Sequence, residues 1–112
     1  MATNTPVGLF GSATRTSTLL VIRLLGETHA SEIAAVLVRS PSRIQGAIDS
    51  LERAGVIVGA HEGNARRVRL NPRYPALAEL QALLDNMGSL DVPLQQRLAE
   101  NRRRPRRSRK AL

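Results

Sequence analysis

The sequence contains no cysteine and very few aromatic residues. Without cysteine, the chain cannot form a disulfide, a thiolate metal site or a cysteine nucleophile. Aromatic residues make up 2% of the 112 residues, against 42% for all hydrophobic residues. Leucine, isoleucine, valine and alanine must therefore form the core, and this composition favours helices over a β-sandwich. The length is sufficient for one domain.

Long hydrophobic runs are also missing. The longest apolar stretch, residues 19–25, is interrupted by Arg23, whereas a membrane-spanning helix needs about 20 apolar residues. The first 12 residues have neither the basic start nor the small-residue cleavage site of a secretory signal. We therefore predict a cytoplasmic protein without a membrane partner.

The residue patterns of common catalytic sites are absent as well. The sequence has no Gly-x-Ser-x-Gly elbow, no phosphate-binding loop and no His-Glu-x-x-His pair. Its two histidines, His29 and His61, lie far apart in predicted loops, where exposed side chains are more common than metal ligands. We therefore predict no enzyme activity, no cofactor and no metal site.

Positive charge is concentrated at the C-terminus. The formal charge is +8, but residues 102–112 contain seven Arg and Lys and no acidic residue, which leaves residues 1–101 at +1. Such basic segments bind nucleic acid, and Pro105 argues against a continuous helix. We predict a disordered tail over residues 102–112, with these DNA-binding residues: Arg102, Arg103, Arg104, Arg106 and Arg107.

The first third of the chain predicts a flexible arm followed by two helices. Residues 1–11 lack periodicity and form the arm, whose Leu9 and Phe10 can dock on the domain. Ser12 is the predicted N-cap of the first helix, and Gly26 ends it. After a short turn over residues 27–30, Ser31 is the predicted N-cap of a second, shorter helix.

A third helix has the strongest start signal in the sequence. Ser40 can cap it, and Pro41 fits the first helical position because its missing N–H has no partner there. Apolar residues then follow at steps of three and four and define one buried face. Gly55 ends the helix, and the predicted buried residues are Ile44, Ala47, Ile48, Leu51 and Ala54.

A two-stranded β-hairpin follows the third helix. Residues 56–58 are β-branched, residues 59–65 are rich in turn formers, and residues 66–70 alternate charged and apolar side chains. Val68 and Leu70 share the core face, so Arg67 and Arg69 are predicted to project from the other face. Arg66 is placed near the tip.

Two further helices are predicted after the hairpin. The fourth begins near Pro75 and ends at Gly88, and Asp91 caps a fifth that carries Leu94 and Leu98. The main domain is therefore assigned to residues 12–88 and the additional C-terminal helix to residues 89–101. The apolar positions of the fourth helix form either a dimer interface or part of the core: Leu77, Leu80, Leu84 and Met87.

This order of elements is that of a winged helix-turn-helix, an α+β fold that is mainly α. The second helix packs on the apolar face of the third, which leaves a polar face free to enter a DNA major groove. Arg43 and Gln45 can read base edges, and Ser42 is suited to phosphate. Asp49 is left out of the predicted DNA contacts, because its negative charge is unfavourable next to DNA unless it pairs with Arg53 one turn later. The predicted DNA-binding residues of the helix and hairpin are Ser42, Arg43, Gln45, Gly46, Arg66, Arg67 and Arg69.

Five segments occur in a characteristic order between residues 9 and 84. They are Leu9-Phe10-Gly11-Ser12 with Arg15, Ser31-Glu32-Ile33-Ala34, Ser40-Pro41-Ser42-Arg43-Ile44, Leu51-Glu52-Arg53-Ala54-Gly55-Val56-Ile57 and Arg69-Leu70-Asn71-Pro72. In this order they resemble winged helix regulators of the ArsR and MarR type. The resemblance implies a homodimer that binds operator DNA and represses a nearby gene. The sequence departs from the metal-sensing members of that family, which use Cys and His clusters.

The sequence therefore predicts a nucleoid-associated, sequence-specific transcriptional regulator that binds double-stranded DNA as a homodimer. Two alternatives stay open. The winged helix could serve as a protein-interaction adaptor, as the nearly neutral residues 1–101 suggest. The chain could also bind nucleic acid without sequence preference through its basic tail. The sequence does not identify a small-molecule inducer.

Overall fold

The computed structural model describes residues 8–63 and 65–103. It confirms the predicted class, α+β and mainly helical, with a small antiparallel sheet. Within those residues, no helix combines the length and the apolar composition needed to cross a bilayer. The elements are α1 (Ala13–Leu25), β1 (Glu27–His29), α2 (Ala30–Leu37), α3 (Pro41–Arg53), β2 (Ile57–Glu62), β3 (Ala65–Leu70), α4 (Leu77–Leu90) and α5 (Val92–Arg103).

Helices α1 and α3 begin where their capping signals predict. The Ser12 hydroxyl accepts a hydrogen bond from the Arg15 N–H at 3.0 Å, and Gly26 ends α1 with φ of +87°. Ser40 caps α3, with Pro41 in its first turn. The predicted buried face of α3 is confirmed except at Ala54, which is exposed at the C-cap. These signals are local, so the sequence alone is sufficient to read them.

Residues 27–30 are not a turn, and Ser31 does not cap α2. Glu27–His29 forms β1, which pairs with β3, so the sheet has three strands in the order β1-β3-β2 instead of two. His29 is the N-cap of α2, and its Nδ1 accepts from the Glu32 N–H at 3.4 Å. Thr28 is fully buried and donates its hydroxyl hydrogen to Glu32 Oε1 at 2.6 Å. A strand this short has no periodicity to detect and depends on β3 for its pairing.

The hairpin is longer than predicted. Strand β2 continues to Glu62, through most of the segment assigned to a turn, and His61 lies in the strand opposite Arg66. Glu62 pairs with Ala65, so the connection is two residues long, and Gly63 has φ of +64°. Glycine adopts this left-handed conformation without steric cost, which explains the position of the turn.

Both C-terminal helices end later than predicted. Gly88 does not end α4; it is buried in the helix, and a Cβ there would lie 3.1 Å from the Leu24 side chain. Asp91 does cap α5, accepting from the Leu94 N–H at 3.2 Å. Helix α5 extends to Arg103, so Arg102 and Arg103 are helical and not part of a disordered tail. Residues 104–112, with the predicted contacts Arg104, Arg106 and Arg107, lie outside the described residues.

The core is aliphatic and brings together all five described helices and the inner face of the sheet. Leu80, Leu84 and Met87 are buried in it, and Leu77 is half-buried. The predicted seam on α4 is therefore core packing within the chain and not a free dimer surface. Part of the predicted N-terminal arm also packs on this core, because Phe10 contacts it and donates its N–H to Thr16 Oγ1 at 3.1 Å. Residues 1–7 of that arm lie outside the described residues.

Candidate nucleic-acid interface

The N-terminal half of α3 is accessible on one face. Ser42, Arg43 and Gly46 are exposed, whereas Ile44 and Ile48 point into the core. Arg43 makes no ion pair with any residue in 8–63 or 65–103, so its guanidinium is free to bind a ligand. Nothing lies within 4 Å of the position that a Cβ would occupy at Gly46. The exposed face of α3 can therefore approach a partner closely at its centre.

Two further arginines lie near the start of α3, and neither was among the contact residues predicted from the sequence. Arg39 and Arg97 line one surface depression together with Ser40 and Arg43. Arg39 also donates to Thr14 Oγ1 at 3.2 Å. Arg97 is on α5, which packs against α2, so only the tertiary structure brings it to this position. Arg39 follows α2 directly and could have been included from the sequence.

Arg66 does not project from the tip of the hairpin. It lies on the same face of β3 as Val68, and its guanidinium reaches two carboxylates of α3. Nη1 is 3.1 Å from Asp49 Oδ1, and Nη2 donates to Glu52 Oε1. Burial lowers the pKa of Arg66, but the hydrogen bonds and charges of Glu52 and Asp49 outweigh burial and raise it above its ordinary value. The predicted contact residue Arg66 is thus an internal ion-pair partner.

The cluster around Arg66 includes Asp49 and, through a hydrogen bond to Asp49, the predicted base-reading residue Gln45. Asp49 pairs with Arg66 and not with Arg53, and it accepts a hydrogen bond of 3.4 Å from Gln45 Nε2. Glu52 has room to reach Arg66 because β2 has glycine at position 59. A Cβ at Gly59 would lie 2.8 Å from Glu52 Oε2.

The two other predicted hairpin contacts point in the opposite direction. Arg67 and Arg69 alternate with the buried Val68, so they lie on the outer face of the sheet, as predicted. Arg67 Nε is 3.8 Å from Glu27 Oε1 on β1. The three hairpin arginines are therefore divided between two faces, and only Arg66 is next to α3.

Arg23 forms a separate ion pair outside α3, and it lines a surface depression that also includes Arg69 and Pro72. Its Nε and Nη2 donate to Asp85 Oδ1 and Oδ2 at 2.8 and 3.0 Å, which ties α1 to α4. The hydrogen bond raises the pKa of Arg23 and lowers that of Asp85. Because this arginine is paired and outside α3, it provides a matched control for the loss of one positive charge.

The described residues contain no group of three or more His, Cys, Asp or Glu that could hold a metal ion. Both histidines lie in or next to strands and not in loops: His29 ends β1 and caps α2, and His61 is in β2. No protein-family model, curated protein or solved structure matches this chain.

Proposed function

We propose that this protein binds double-stranded DNA with sequence preference by placing α3 in the major groove. The observation that carries the proposal is the exposed N-terminal half of α3, with Arg43 unpaired among the described residues and Arg39 and Arg97 beside it. The order of α1, α2, α3 and the hairpin matches that of a winged helix-turn-helix and supports this use of α3. A protein of this kind would act as a transcriptional regulator.

The chemistry of the α3 surface fits this role. A guanidinium such as that of Arg43 can donate two hydrogen bonds to the major-groove edge of guanine. Ser42 and the positive end of the helix dipole favour phosphate oxygens. Arg39 and Arg97 would add phosphate contacts on the same side. The proposal includes no dimer surface, because the predicted seam is in the core.

Arg43→Ala is expected to weaken binding at the preferred site by about 1–3 kcal/mol and to relax sequence choice at one base pair. The preferred site is first obtained by selecting bound duplexes from a random library with the full-length protein. Affinities are then measured by fluorescence anisotropy on the selected duplex and on a scrambled one. Arg23→Ala is the control and should retain the preference. Equal losses on both duplexes for Arg43→Ala would assign this arginine to phosphate instead.

Asp49 and Glu52 present an electrostatic obstacle to this proposal, and Arg66 offsets part of it. Two carboxylates on the side of a DNA-reading helix repel phosphate, and Arg66 compensates one of these charges while holding both groups toward the sheet. We therefore treat Arg66 as a positioning residue that keeps α3 and the hairpin together. This role differs from the direct contact that the sequence predicted.

Arg66→Gln is expected to weaken binding to all duplexes by roughly tenfold, because it leaves both carboxylates uncompensated near DNA. A double-mutant cycle by anisotropy separates this cause from a direct contact. In an Asp49→Asn/Glu52→Gln background, the same substitution should have little effect. An equal loss in both backgrounds would show that Arg66 contacts phosphate itself. Circular dichroism of each variant verifies that it is folded.

Binding without sequence preference is the second candidate function. The same two carboxylates on α3 favour it, because they reduce the net positive charge of the helix that would read bases. In that case the basic C-terminal segment supplies most of the affinity, and the library selection returns no enriched sequence.

A further inference from the structure

The outer face of the sheet forms a second basic surface. Alternation along the strands places Val58 and Ala60 of β2 next to Arg67 and Arg69 of β3 on this face. Together with the segment after β3, they line a depression of about 290 Å³. The residues that matter for its chemistry are Glu27, Val58, Ala60, Arg67, Arg69 and Arg73.

Positive charge dominates this depression. Its lining residues include three arginines and one acidic residue, Glu27. Arg69 and Arg73 form no ion pair within the described part of the chain, and Arg67 is 3.8 Å from Glu27, too far for a close hydrogen bond. By contrast, Arg66 and Arg23 are each closely paired with carboxylates. The outer face thus has arginines whose hydrogen-bond donors are available to an anion.

We infer that this depression binds a small organic carboxylate. Two neighbouring guanidinium groups pair with a carboxylate through parallel, charge-assisted hydrogen bonds. The side chains of Val58 and Ala60 and the ring of Pro72 provide apolar contacts for the remainder of the molecule. A volume of about 290 Å³ is at the lower end for small-molecule pockets and matches a ligand with a single ring or a short chain.

The backbone that carries the arginines of this site is held by the fold. Arg67 and Arg69 belong to the central strand, which pairs on both sides with β1 and β2. Asn71 fixes the segment that follows: its Nδ2 donates to the Gly55 carbonyl, and its Oδ1 accepts from the Arg73 N–H, both at 2.9 Å. Because this backbone is fixed before binding, only the arginine side chains and the ligand lose conformational entropy.

This site is separate from the surface proposed to bind DNA. It is on the face of β3 opposite Arg66, the residue that contacts α3. The inference therefore does not depend on whether α3 reads DNA. An experiment without DNA can test it.

The experiment is a titration of the ¹⁵N-labelled full-length protein followed by amide NMR spectra. Benzoate is the probe, benzamide is its uncharged counterpart, and inorganic phosphate is a third arm, all at one ionic strength. Benzoate should produce saturable shifts at the amides of β2, β3, Asn71 and Arg73 in the millimolar range, and neither of the other compounds should match them. Arg69→Gln should weaken the binding of benzoate about tenfold, whereas Arg53→Gln, at an exposed position of α3 outside this depression, should not change it.

Three results would overturn the inference. Equal shifts with benzamide would show that the carboxylate is not recognised. Equal affinity for phosphate would show that the apolar contacts contribute nothing. Unchanged benzoate binding in Arg69→Gln would show that this guanidinium does not hold the carboxylate.

Discussion

Leu84→Ala is expected to lower the free energy of unfolding by about 2–5 kcal/mol, because it leaves a cavity in a fully buried part of the core. Helix α4 packs on both α1 and α5, so the surrounding side chains cannot collapse into the space without moving two other helices. For a chain of this size, the melting temperature should fall on the order of 10 °C or more. Thermal and urea unfolding followed by circular dichroism measure both quantities.

The adjacent residue supplies a matched control. Leu83 is 42% exposed, whereas Leu84 has no exposed surface. Leu83→Ala removes the same atoms and should cost less than about 1 kcal/mol. The pair also separates the two interpretations of the α4 seam. If Leu84 were at a dimer interface, its substitution would change the mass measured by light scattering and leave the melting temperature of the monomer unaffected.

Removal of residues 104–112 is expected to reduce the salt dependence of DNA binding strongly while the preferred sequence stays the same. This segment carries five Arg and Lys and no acidic residue. Each phosphate contact contributes about 0.9 to the slope of log affinity against log salt concentration. If all five basic residues contact phosphate, the truncation lowers the magnitude of this slope by about 4.5. Arg102 and Arg103 are kept because they belong to α5, which makes Arg103 the correct end of the truncated chain.

The measurement is a salt titration of both proteins on the selected and scrambled duplexes. A full-length variant with the five basic residues replaced by glutamine controls for chain length and should behave like the truncated protein. A truncated protein that no longer distinguishes the two duplexes would contradict the assignment of base reading to α3. In that case, the C-terminal segment itself reads sequence.

Much of the fold could be predicted because its strongest signals are local. The caps at Ser12, Ser40 and Asp91 depend on a side chain and an N–H three residues later. Gly88 shows the limit of such signals. A glycine in a sequence can mark the end of a helix, or it can mark a place where another side chain packs against the backbone. At Gly88, only the contact with Leu24 shows that the second explanation applies.

The candidate interface was less predictable because it depends on contacts between distant residues. Arg97 reaches the start of α3 only through the packing of α5 on α2. The position of Arg66 is different, because the sequence did contain the signal. Arg66 is two residues from Val68, so the same alternation that places Arg67 outside requires Arg66 to face the core side.

The missing side chain at Gly59 has a consequence for how this protein can evolve. Its Cα hydrogen leaves the space that the Glu52 carboxylate occupies, so the two positions are sterically coupled. Among relatives with a glutamate at position 52, glycine should be retained at position 59. A larger residue at position 59 would turn the flexible end of Glu52 away from Arg66, whereas Arg66 would keep its other partner, Asp49. Positions 52 and 59 should therefore covary with each other more closely than either does with position 66.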